Sequence, residues 1–335
     1  MRIAIDAMGG DYAPESVIDG TIDALNEYDG FDVTVVGNLA ELKPYVERYE
    51  LDRHPRVKLV HAEQVINMDD TSTASIRAKK HSSVTIASEI VGKGEADALV
   101  TIGHTGAAVA ATKVRMRTLP GVERPAIAVI LPTKNGHSIL LDAGANVDCK
   151  PENLAQFAVM GEIYSKLLLG VRHPKIGLLS VGDEDIKGND VTKEAFKLLS
   201  KMPINFVGNV EGCDIFGEDV DVVVCDGFVG NAILKSCEGM SKAAMHWLKK
   251  AFTKNPFRIT TAILAQKAFA ELKEMGDKET YGGAPLIGIN GICIIGHGAS
   301  SPKAVKNAIK VAADLIKKDM NDEILRRLKE SDAIM

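Results

Sequence analysis

Short runs of apolar and β-branched residues alternate with amphipathic segments along almost the whole chain. The segments between them, such as APESVIDGTIDALNEY and ENLAQFAVMGEIYSKLL, have the apolar spacing of helices. This alternation is typical of parallel strands joined by crossover helices, so it predicts an α/β/α sandwich with a mostly parallel, Rossmann-like sheet. The candidate strands are RIAIDA, DVTVVG, VKLVHA, ALVTIG, AIAVIL, SILLDA, KIGLLSV, INFVGNV, VDVVVCDG and GICIIG.

Composition is that of a folded, soluble protein, with 46% hydrophobic and 25% charged residues among 335. No linker, repeat or charge block marks a boundary, so we expect a single α/β domain over 1–335 with a helical hairpin at about 240–276. The net charge of -5 argues against nucleic-acid binding.

The cysteines are scattered and have no CxxC spacing, which predicts reduced thiols and no metal site. They are Cys149, Cys213, Cys225, Cys237 and Cys293. We expect a cytoplasmic protein, because the first residues lack the apolar core of a signal peptide and no run is long enough to span a membrane.

Six glycine-containing loops follow predicted strands. Ligands bind beyond the carboxyl ends of strands in such sheets, so we expect all six loops to share one edge. A single glycine there only satisfies a positive φ, but six together predict a binding site. The candidate substrate- and phosphate-binding residues are Asp6, Gly9, Gly10, His104, Thr105, Gly106, Asp142, Gly144, Asn146, Asp226, Gly230, His297 and Gly298.

The loops lack GxGxxG after a strand, GxxxxGK[ST] and GxSxG. We therefore expect no nucleotide cofactor and no covalent protein nucleophile. Glycine-rich corners at helix starts suit an anion instead. Lys187, beside Asp183 and Glu184, and the amide of Asn231 could together stabilise an oxyanion.

Alternatives stay open for each of these side chains. Lys187 could be a solvated loop lysine, and Asn231 a helix N-cap. His104 and His297 could be general bases, anion donors or turn histidines.

Two basic segments suggest interaction surfaces. Arg77, Lys79 and Lys80 are either a solvated helix face or a dock for an acidic partner or a phosphate. In the hairpin, Lys254, Phe257 and Arg258 combine charge with apolar area and predict contact with a membrane surface. The competing interpretation packs the apolar residues of the hairpin against a dimer mate, which we expect for Trp247, Ile263, Leu264 and Phe269.

Several stretches, in order along nearly the whole chain, resemble the phosphate acyltransferase (PlsX) family of bacterial phospholipid synthesis. They are IAIDAMGGDYAP, HTGAA, RPAIA, LLDAGANVDCKPENL, GDEDIKGN, DGFVGNAILKSCEG and HGASS. Two positions depart from the family pattern: His104 stands where the family usually has Asn, and KKHSS replaces KKDSS.

The resemblance implies a fold akin to phosphotransacetylases and isocitrate/isopropylmalate dehydrogenases, a homodimer and loose membrane association. It implies transfer of a long-chain acyl group from acyl carrier protein to inorganic phosphate, with Lys187 and Asn231 as catalytic residues. The acidic partner at Arg77, Lys79 and Lys80 would then be acyl carrier protein. A further implied partner is the downstream glycerol-3-phosphate acyltransferase.

Three other functions are kept as alternatives. A nicotinamide-dependent dehydrogenase of this fold would need clustered carboxylates, whereas Asp6, Asp142, Asp183 and Asp226 lie one to a loop. A phosphotransacetylase acting on acetyl-CoA differs in acyl chain length. A non-catalytic scaffold of the phospholipid pathway would not need Lys187 and Asn231.

Overall fold

The computed structural model describes residues 1–66, 70, 78–217, 219–275 and 278–332. The strands are β1 (Arg2–Asp6), β2 (Asp32–Gly37), β3 (Val57–His61), β4 (Ala98–Thr101), β5 (Ala126–Pro132), β6 (His137–Leu141), β7 (Ile176–Leu179), β8 (Phe206–Val210), β9 (Val222–Val224), β10 (Ala284–Ile287) and β11 (Ile292–Ile295). The helices are α1 (Glu15–Glu27), α2 (Leu39–Tyr49), α3 (Ser83–Gly92), α4 (Thr105–Arg115), α5 (Pro151–Tyr164), α6 (Asp190–Leu199), α7 (Gly227–Phe252), α8 (Pro256–Leu264), α9 (Gln266–Met275), α10 (Pro302–Lys317) and α11 (Met320–Asp332).

Within the described residues, eleven strands form one sheet in the order β3-β2-β1-β4-β11-β10-β5-β6-β9-β7-β8. Most neighbouring strands are parallel, as predicted. Three pairings are antiparallel: β11 with β10, β10 with β5, and β5 with β6. After three reversals, β6, β9, β7 and β8 run opposite to β1, β4 and β11.

Alternate residues of the strands point into apolar cores on the two faces of the sheet. In β1, Ile3 belongs to the core that includes α1, α5, α6, α10 and α11, and Ala4 to the core that includes α3 and α4. In β6, Ile139 belongs to the first of these cores, while Leu140 lies under the start of α7. The chain is therefore the α/β/α sandwich that the alternation predicted.

The reversals correct the prediction of one shared edge for the six glycine loops. All six follow carboxyl ends of strands, but those ends lie on opposite edges of the sheet. We call the loops after β1, β4 and β11 the first loop group (residues 7–11, 102–106 and 296–301). The loops after β6, β7 and β9 are the second loop group (residues 142–146, 180–188 and 225–231).

The helical hairpin forms where the sequence predicts it, with its turn between Phe252 and Pro256. Asn255 caps α8 by accepting a hydrogen bond from the backbone N–H of Arg258 at 2.9 Å. The first arm is longer than predicted, because α7 already begins at Gly227. Across the described part of the chain, no helix has the length and apolar character needed to cross a membrane.

Candidate active site

The loop after β6 is closed by Asp142, which is 0% exposed. Its Oδ1 accepts hydrogen bonds from the backbone N–H groups of Ile127, Gly144 and Ala145 at 2.9–3.0 Å. Its Oδ2 accepts from the backbone N–H and the Nδ2 of Asn146, both at 2.8 Å. Burial raises the pKa of Asp142, and these hydrogen bonds oppose the rise. The carboxylate therefore braces its own loop.

Helix α7 begins directly against this loop because glycines let the two backbones approach. The N–H of Gly227 donates to the carbonyl of Asn146 at 2.7 Å. A Cβ at Gly230 would lie 1.9 Å from the carbonyl oxygen of Asp142, so only glycine fits there. The loops after β6 and β9 thus form one unit.

Asn231 is not the N-cap of α7, so that interpretation is wrong. Asp226 is the cap, and its Oδ1 accepts a hydrogen bond from the backbone N–H of Val229 at 2.8 Å. Asn231 lies inside the helix and is exposed. A Cβ at Gly144 would lie 3.5 Å from the Cβ of Asn231, which places this residue over the Asp142 loop.

Lys187 lies in the loop between β7 and α6, where both of its flanks are held. Its backbone N–H donates to the carbonyl of Glu184 at 3.0 Å. After it, Gly188 has φ +107°, and a Cβ there would lie 2.2 Å from Thr192 Oγ1. Asn189 then caps α6. The Lys187 side chain is 47% exposed, and its ammonium lies 3.9 Å from the Glu184 carboxylate, beside which the sequence placed it.

Strand order brings the loops after β6, β7 and β9 together. β6, β9 and β7 are adjacent and parallel, so the loops that follow them leave the same edge of the sheet. Asp142, Asn231 and Lys187 therefore belong to one edge, as a braced loop with two exposed polar side chains beside it.

The first loop group centres on Asp6, which is 2% exposed. Its Oδ2 accepts a hydrogen bond from Thr101 Oγ1 at 2.7 Å, and its Oδ1 accepts from the N–H of Met8 at 3.3 Å. Burial raises the pKa of Asp6, while hydrogen bonds from Ser83 and Thr101 oppose that rise. Asp6 lines a small cavity together with Ser83 and His104.

Close glycine contacts join the three loops of this group. A Cβ at Gly9 would lie 2.8 Å from the backbone nitrogen of Gly103. Gly10 has φ +104°, and a Cβ there would lie 3.0 Å from the carbonyl oxygen of Gly298. That same oxygen accepts a hydrogen bond from the N–H of Asp11 at 2.8 Å. The loop after β1 is therefore packed against the loops after β4 and β11.

His104 and His297 both use Nδ1 to hold backbone. His104 is the N-cap of α4, and its Nδ1 accepts from the N–H of Ala107 at 3.2 Å. The Nδ1 of His297 accepts from the N–H of Ala299 at 3.1 Å. A nitrogen that accepts carries no proton, so Nε2 is the donor of each neutral ring. These contacts support the turn interpretation for both histidines, and in His104 they make Nε2–H the group that could reach an anion. Thr105 and Gly106 follow His104 as the first residues of α4.

Two lysines of the basic segment before α3 do not lie on the predicted helix face. Lys79 and Lys80 precede the helix, and Arg77 lies outside the described residues. The ammonium of Lys79 is 2.6 Å from the Asp70 carboxylate and donates to the carbonyl of Val65 at 2.9 Å. Its charge is therefore engaged within the chain, whereas Lys80 is exposed.

Comparison with known proteins decides the family. A family model described as "Fatty acid synthesis protein" matches residues 1–323. The chain is 47% identical over 332 residues to a phosphate acyltransferase of Nitratiruptor sp., covering 98% of each chain. It is 46% identical over 338 residues to a phosphate acyltransferase of Leptospira biflexa, covering 100% of this chain and 99% of the relative.

The chain belongs to the phosphate acyltransferase family. As a family member it is an acyltransferase that moves an acyl group to phosphate. A solved phosphotransacetylase from Streptococcus pyogenes aligns over 95% of this chain and 94% of its own, with a TM-score of 0.63 at 17% identity. That likeness shows a common fold.

Two cysteines lie beside the second loop group of this phosphate acyltransferase, and burial affects both thiols. Burial raises the pKa of Cys149 to about 11. Burial also raises the pKa of Cys225 well above its ordinary value. Both thiols therefore stay protonated at neutral pH, where the nucleophilic thiolate is scarce. Among the described residues, no group of three or more His, Cys, Asp or Glu side chains could hold a metal ion.

Sequence reasoning missed several residues that this phosphate acyltransferase uses to build its loops. Thr101 and Ser83 contact Asp6, and Asn209 holds the Lys187 loop by donating from Nδ2 to the carbonyl of Glu184 at 2.9 Å. A signal for Asn209 was present, since it is a polar residue near the carboxyl end of the predicted strand INFVGNV.

Proposed function

We propose that this phosphate acyltransferase takes a long-chain fatty acyl group from acyl carrier protein and makes acyl phosphate for phosphatidic acid and phospholipid synthesis. The observation that carries the proposal is a set of exposed apolar side chains on the loops that hold Asp142, Lys187 and Asn231. Their exposure runs from 38% for Val229 to 81% for Val181. We call this set the apolar rim, and its members are Val147, Val181, Ile186, Phe228 and Val229.

A long acyl chain is the substrate part that such a rim suits. Each buried methylene contributes about 0.8 kcal/mol, so a fatty chain gains from covering exposed apolar side chains. An acetyl group offers one methyl and gains little. The rim therefore supports a long-chain donor over acetyl-CoA.

The proposed reaction needs no protein nucleophile. A phosphate oxygen attacks the thioester carbonyl carbon, and the carbonyl oxygen becomes an oxyanion. The ammonium of Lys187 and the amide of Asn231 donate hydrogen bonds to this oxyanion, which stabilises the tetrahedral intermediate. The C–S bond then breaks, leaving acyl phosphate and the thiolate of the carrier. Because a thiolate leaves readily, no strong general acid is required.

The two loop groups differ in which backbone N–H groups are available to phosphate. In the second loop group the N–H groups of Gly144 and Asn146 already donate to Asp142. In the first loop group Thr105 and Gly106 open α4, where N–H groups of a first turn favour an anion. We keep these two residues, with Nε2 of His104, as proposed phosphate contacts beside Lys187 and Asn231, because α4 and the loop after β6 share one apolar core.

The deciding experiment measures release of carrier thiol from a long-chain acyl carrier protein with and without inorganic phosphate. Matched long-chain acyl-CoA and acetyl-CoA serve as comparison donors. We expect phosphate-dependent release from the carrier. Turnover of acetyl-CoA alone would indicate a phosphotransacetylase, and no release from any donor would refute the proposed activity.

Acyl donors of different chain length test whether the apolar rim binds the acyl group. Val181→Ser/Ile186→Ser should raise KM for a long-chain donor and leave a short-chain donor unaffected. Val114→Ser is the matched control, because Val114 is 62% exposed on α4, away from these loops. Equal effects on both chain lengths would remove the rim from substrate binding.

Acyl carrier protein remains the proposed partner of the basic segment at residues 77–80. Because Lys79 is bound to Asp70, reversing its charge would disturb the local structure as well as any dock. Lys80→Glu is the cleaner test. We expect a higher KM for acyl carrier protein at low salt and no change for acyl-CoA.

We also propose that the enzyme is a homodimer that binds a membrane surface from the cytoplasm and passes acyl phosphate to the downstream glycerol-3-phosphate acyltransferase. Exposed apolar side chains of the hairpin range from 37% for Leu248 to 82% for Leu264, and Phe257 lies beside exposed Lys254 and Arg258. Phe269 contacts Phe252 within the hairpin, with ring centroids 4.9 Å apart. Trp247, Ile263 and Leu264 stay the proposed dimer contacts.

Co-sedimentation with anionic vesicles tests the membrane contact. Phe257→Asp and Lys254→Glu/Arg258→Glu should pellet less than wild type while keeping the dimer and turnover of soluble substrate. Phe216→Asp is the control, since this exposed phenylalanine lies outside the hairpin. Equal pelleting of wild type and hairpin variants would limit the hairpin to dimer contacts.

A further inference from the structure

We propose that Asn209 is the positioning residue that sets Lys187 for the reaction. Asn209 lies in β8 beside Leu178 of β7 and is 6% exposed. Its Nδ2 donates to the carbonyl of Glu184 at 2.9 Å. The backbone N–H of Lys187 donates to that same carbonyl at 3.0 Å. The Glu184 carbonyl oxygen therefore connects Asn209 of the edge strand β8 to the backbone of Lys187.

Little else ties this segment of the loop to the sheet. Residues 183–187 are exposed, so apolar burial does not hold them. The ion pair between Lys187 and Glu184 is long and solvated, and such surface pairs contribute little. The backbone at Lys187 is set from one side by Gly188 and the cap of α6, and from the other by Asn209. Without the Asn209 amide, the turn from Glu184 to Lys187 loses its link to β8.

The burial of Asn209 also has a cost that a packing role does not explain. Its Oδ1 has no hydrogen-bond partner among the described residues although it is buried. A buried polar atom left without a partner destabilises a fold, which an apolar residue of similar size would avoid. What the amide provides in return is the N–H that holds the Glu184 carbonyl.

The functional consequence follows from preorganisation. A donor stabilises an oxyanion only if it is held where charge develops, and a shift of about 1 Å can cost about 100-fold in rate. This inference rests on the proposed role of Lys187 as such a donor. Asn209 does not touch the substrate, so its effect must pass through the lysine.

A double-mutant cycle tests that dependence. Asn209→Ala should lower kcat about 10- to 100-fold with little change in KM. In the Lys187→Ala background, the same substitution should have no further effect. Asn205→Ala is the matched control, because Asn205 also donates from a side chain to a backbone carbonyl, that of His173 at 3.2 Å, but before the amino end of β8. We expect it to leave kcat unchanged.

Asn209→Leu is a second variant, needed in case Asn209→Ala does not fold. It removes the hydrogen-bond donor and keeps a side chain of similar volume. The assay uses long-chain acyl carrier protein and the matching acyl-CoA in parallel, so the cycle can be read even if the carrier is not the donor. Equal losses of kcat from Asn209→Ala in both backgrounds, or full activity of a folded Asn209→Leu, would overturn the positioning role. Full activity of Lys187→Ala would instead refute the role proposed for the lysine, and the inference with it.

Discussion

Asp6 and Asp142 occupy corresponding places, each buried at the carboxyl end of a strand and each followed by alanine and a glycine-containing loop. Their surroundings differ. Asp142 accepts hydrogen bonds from the N–H groups of three residues at one oxygen and from Asn146 at the other. Asp6 accepts hydrogen bonds from the hydroxyls of Thr101 and Ser83 and from the backbone of Met8 and Gly9, and it borders a cavity.

The difference shows that one local signature can serve two purposes. In the second loop group the carboxylate is saturated, so it braces the backbone, and the chemistry that we propose falls to exposed Lys187 and Asn231. In the first loop group the carboxylate still lines a space beside His104. The following predictions test whether structure and chemistry divide in this way.

The largest expected effect is on the exposed lysine of the second loop group. Lys187→Ala should lower kcat by about 10²–10³, because it removes one preorganised oxyanion donor. The thermal midpoint should stay near that of wild type. Lys193→Ala, an exposed lysine on α6, is the control for loss of a positive charge. A Lys187→Ala variant with more than about a third of wild-type activity would place the chemistry elsewhere.

Alanine variants of Asn231 and Asp226 should separate an effect on catalysis from an effect on helix capping. Asn231→Ala should lower kcat by about 10²-fold without lowering stability, because Asn231 is not the cap of α7. Asp226→Ala should cost about 1 kcal/mol of stability, because it removes the cap. Rate and thermal midpoint are measured on both variants. A loss of stability in Asn231→Ala with unchanged kcat would reverse the assignment.

Substitutions of the two aspartates should destabilise the fold by different amounts. Asp142→Asn turns an amide toward donors on Asn146, so we expect a loss of about 3 kcal/mol in the free energy of unfolding. Asp6→Asn keeps an acceptor for one of the hydroxyls of Thr101 and Ser83, and the other hydroxyl can turn to accept from the new amide, so its loss should be about 1 kcal/mol. Urea unfolding of both variants measures this. Equal losses would mean that both carboxylates are braces.

The smallest expected effect is a pH dependence carried by Asp6. Burial raises its pKa above the ordinary value of 3.8. The folded state therefore holds the proton more tightly than the unfolded state, and the contribution of Asp6 to stability falls as pH rises from 3.8 through the folded-state pKa. Asparagine does not titrate. The stability of Asp6→Asn relative to wild type should rise across that window and then level off. A difference independent of pH would contradict it.

Several sequence predictions were confirmed because they depend on local patterns. All ten predicted strands are present, and the hairpin turns at Asn255–Pro256, where proline and a favoured cap coincide. Lys187 lies beside Glu184 because the two residues are three positions apart in one turn. The fold class and family follow from the same alternation and motifs.

Two sequence predictions were wrong: strand β10 was missed, and the six glycine loops were expected to share one edge. Both errors concern features that local patterns do not reveal. The strand APLI is short and contains proline, which obscures it. The turn between β5 and β6 contains Asn135–Gly136, a hairpin signal that announces one reversal of direction. It does not predict which strands lie next to β5. That pairing decides on which edge of the sheet each loop lies.

By itself, the sequence determined most of the elements and their two-sided burial, because periodicity acts over a few neighbours. Only the tertiary structure decided that the glycine loops form two groups, that Asp142 is saturated and that Asn209 reaches the Lys187 loop. Each of these depends on contacts between residues distant in the chain, such as Asp142 with Ile127 or Asn209 with Glu184. Strand order and direction create such contacts, and no local pattern encodes them.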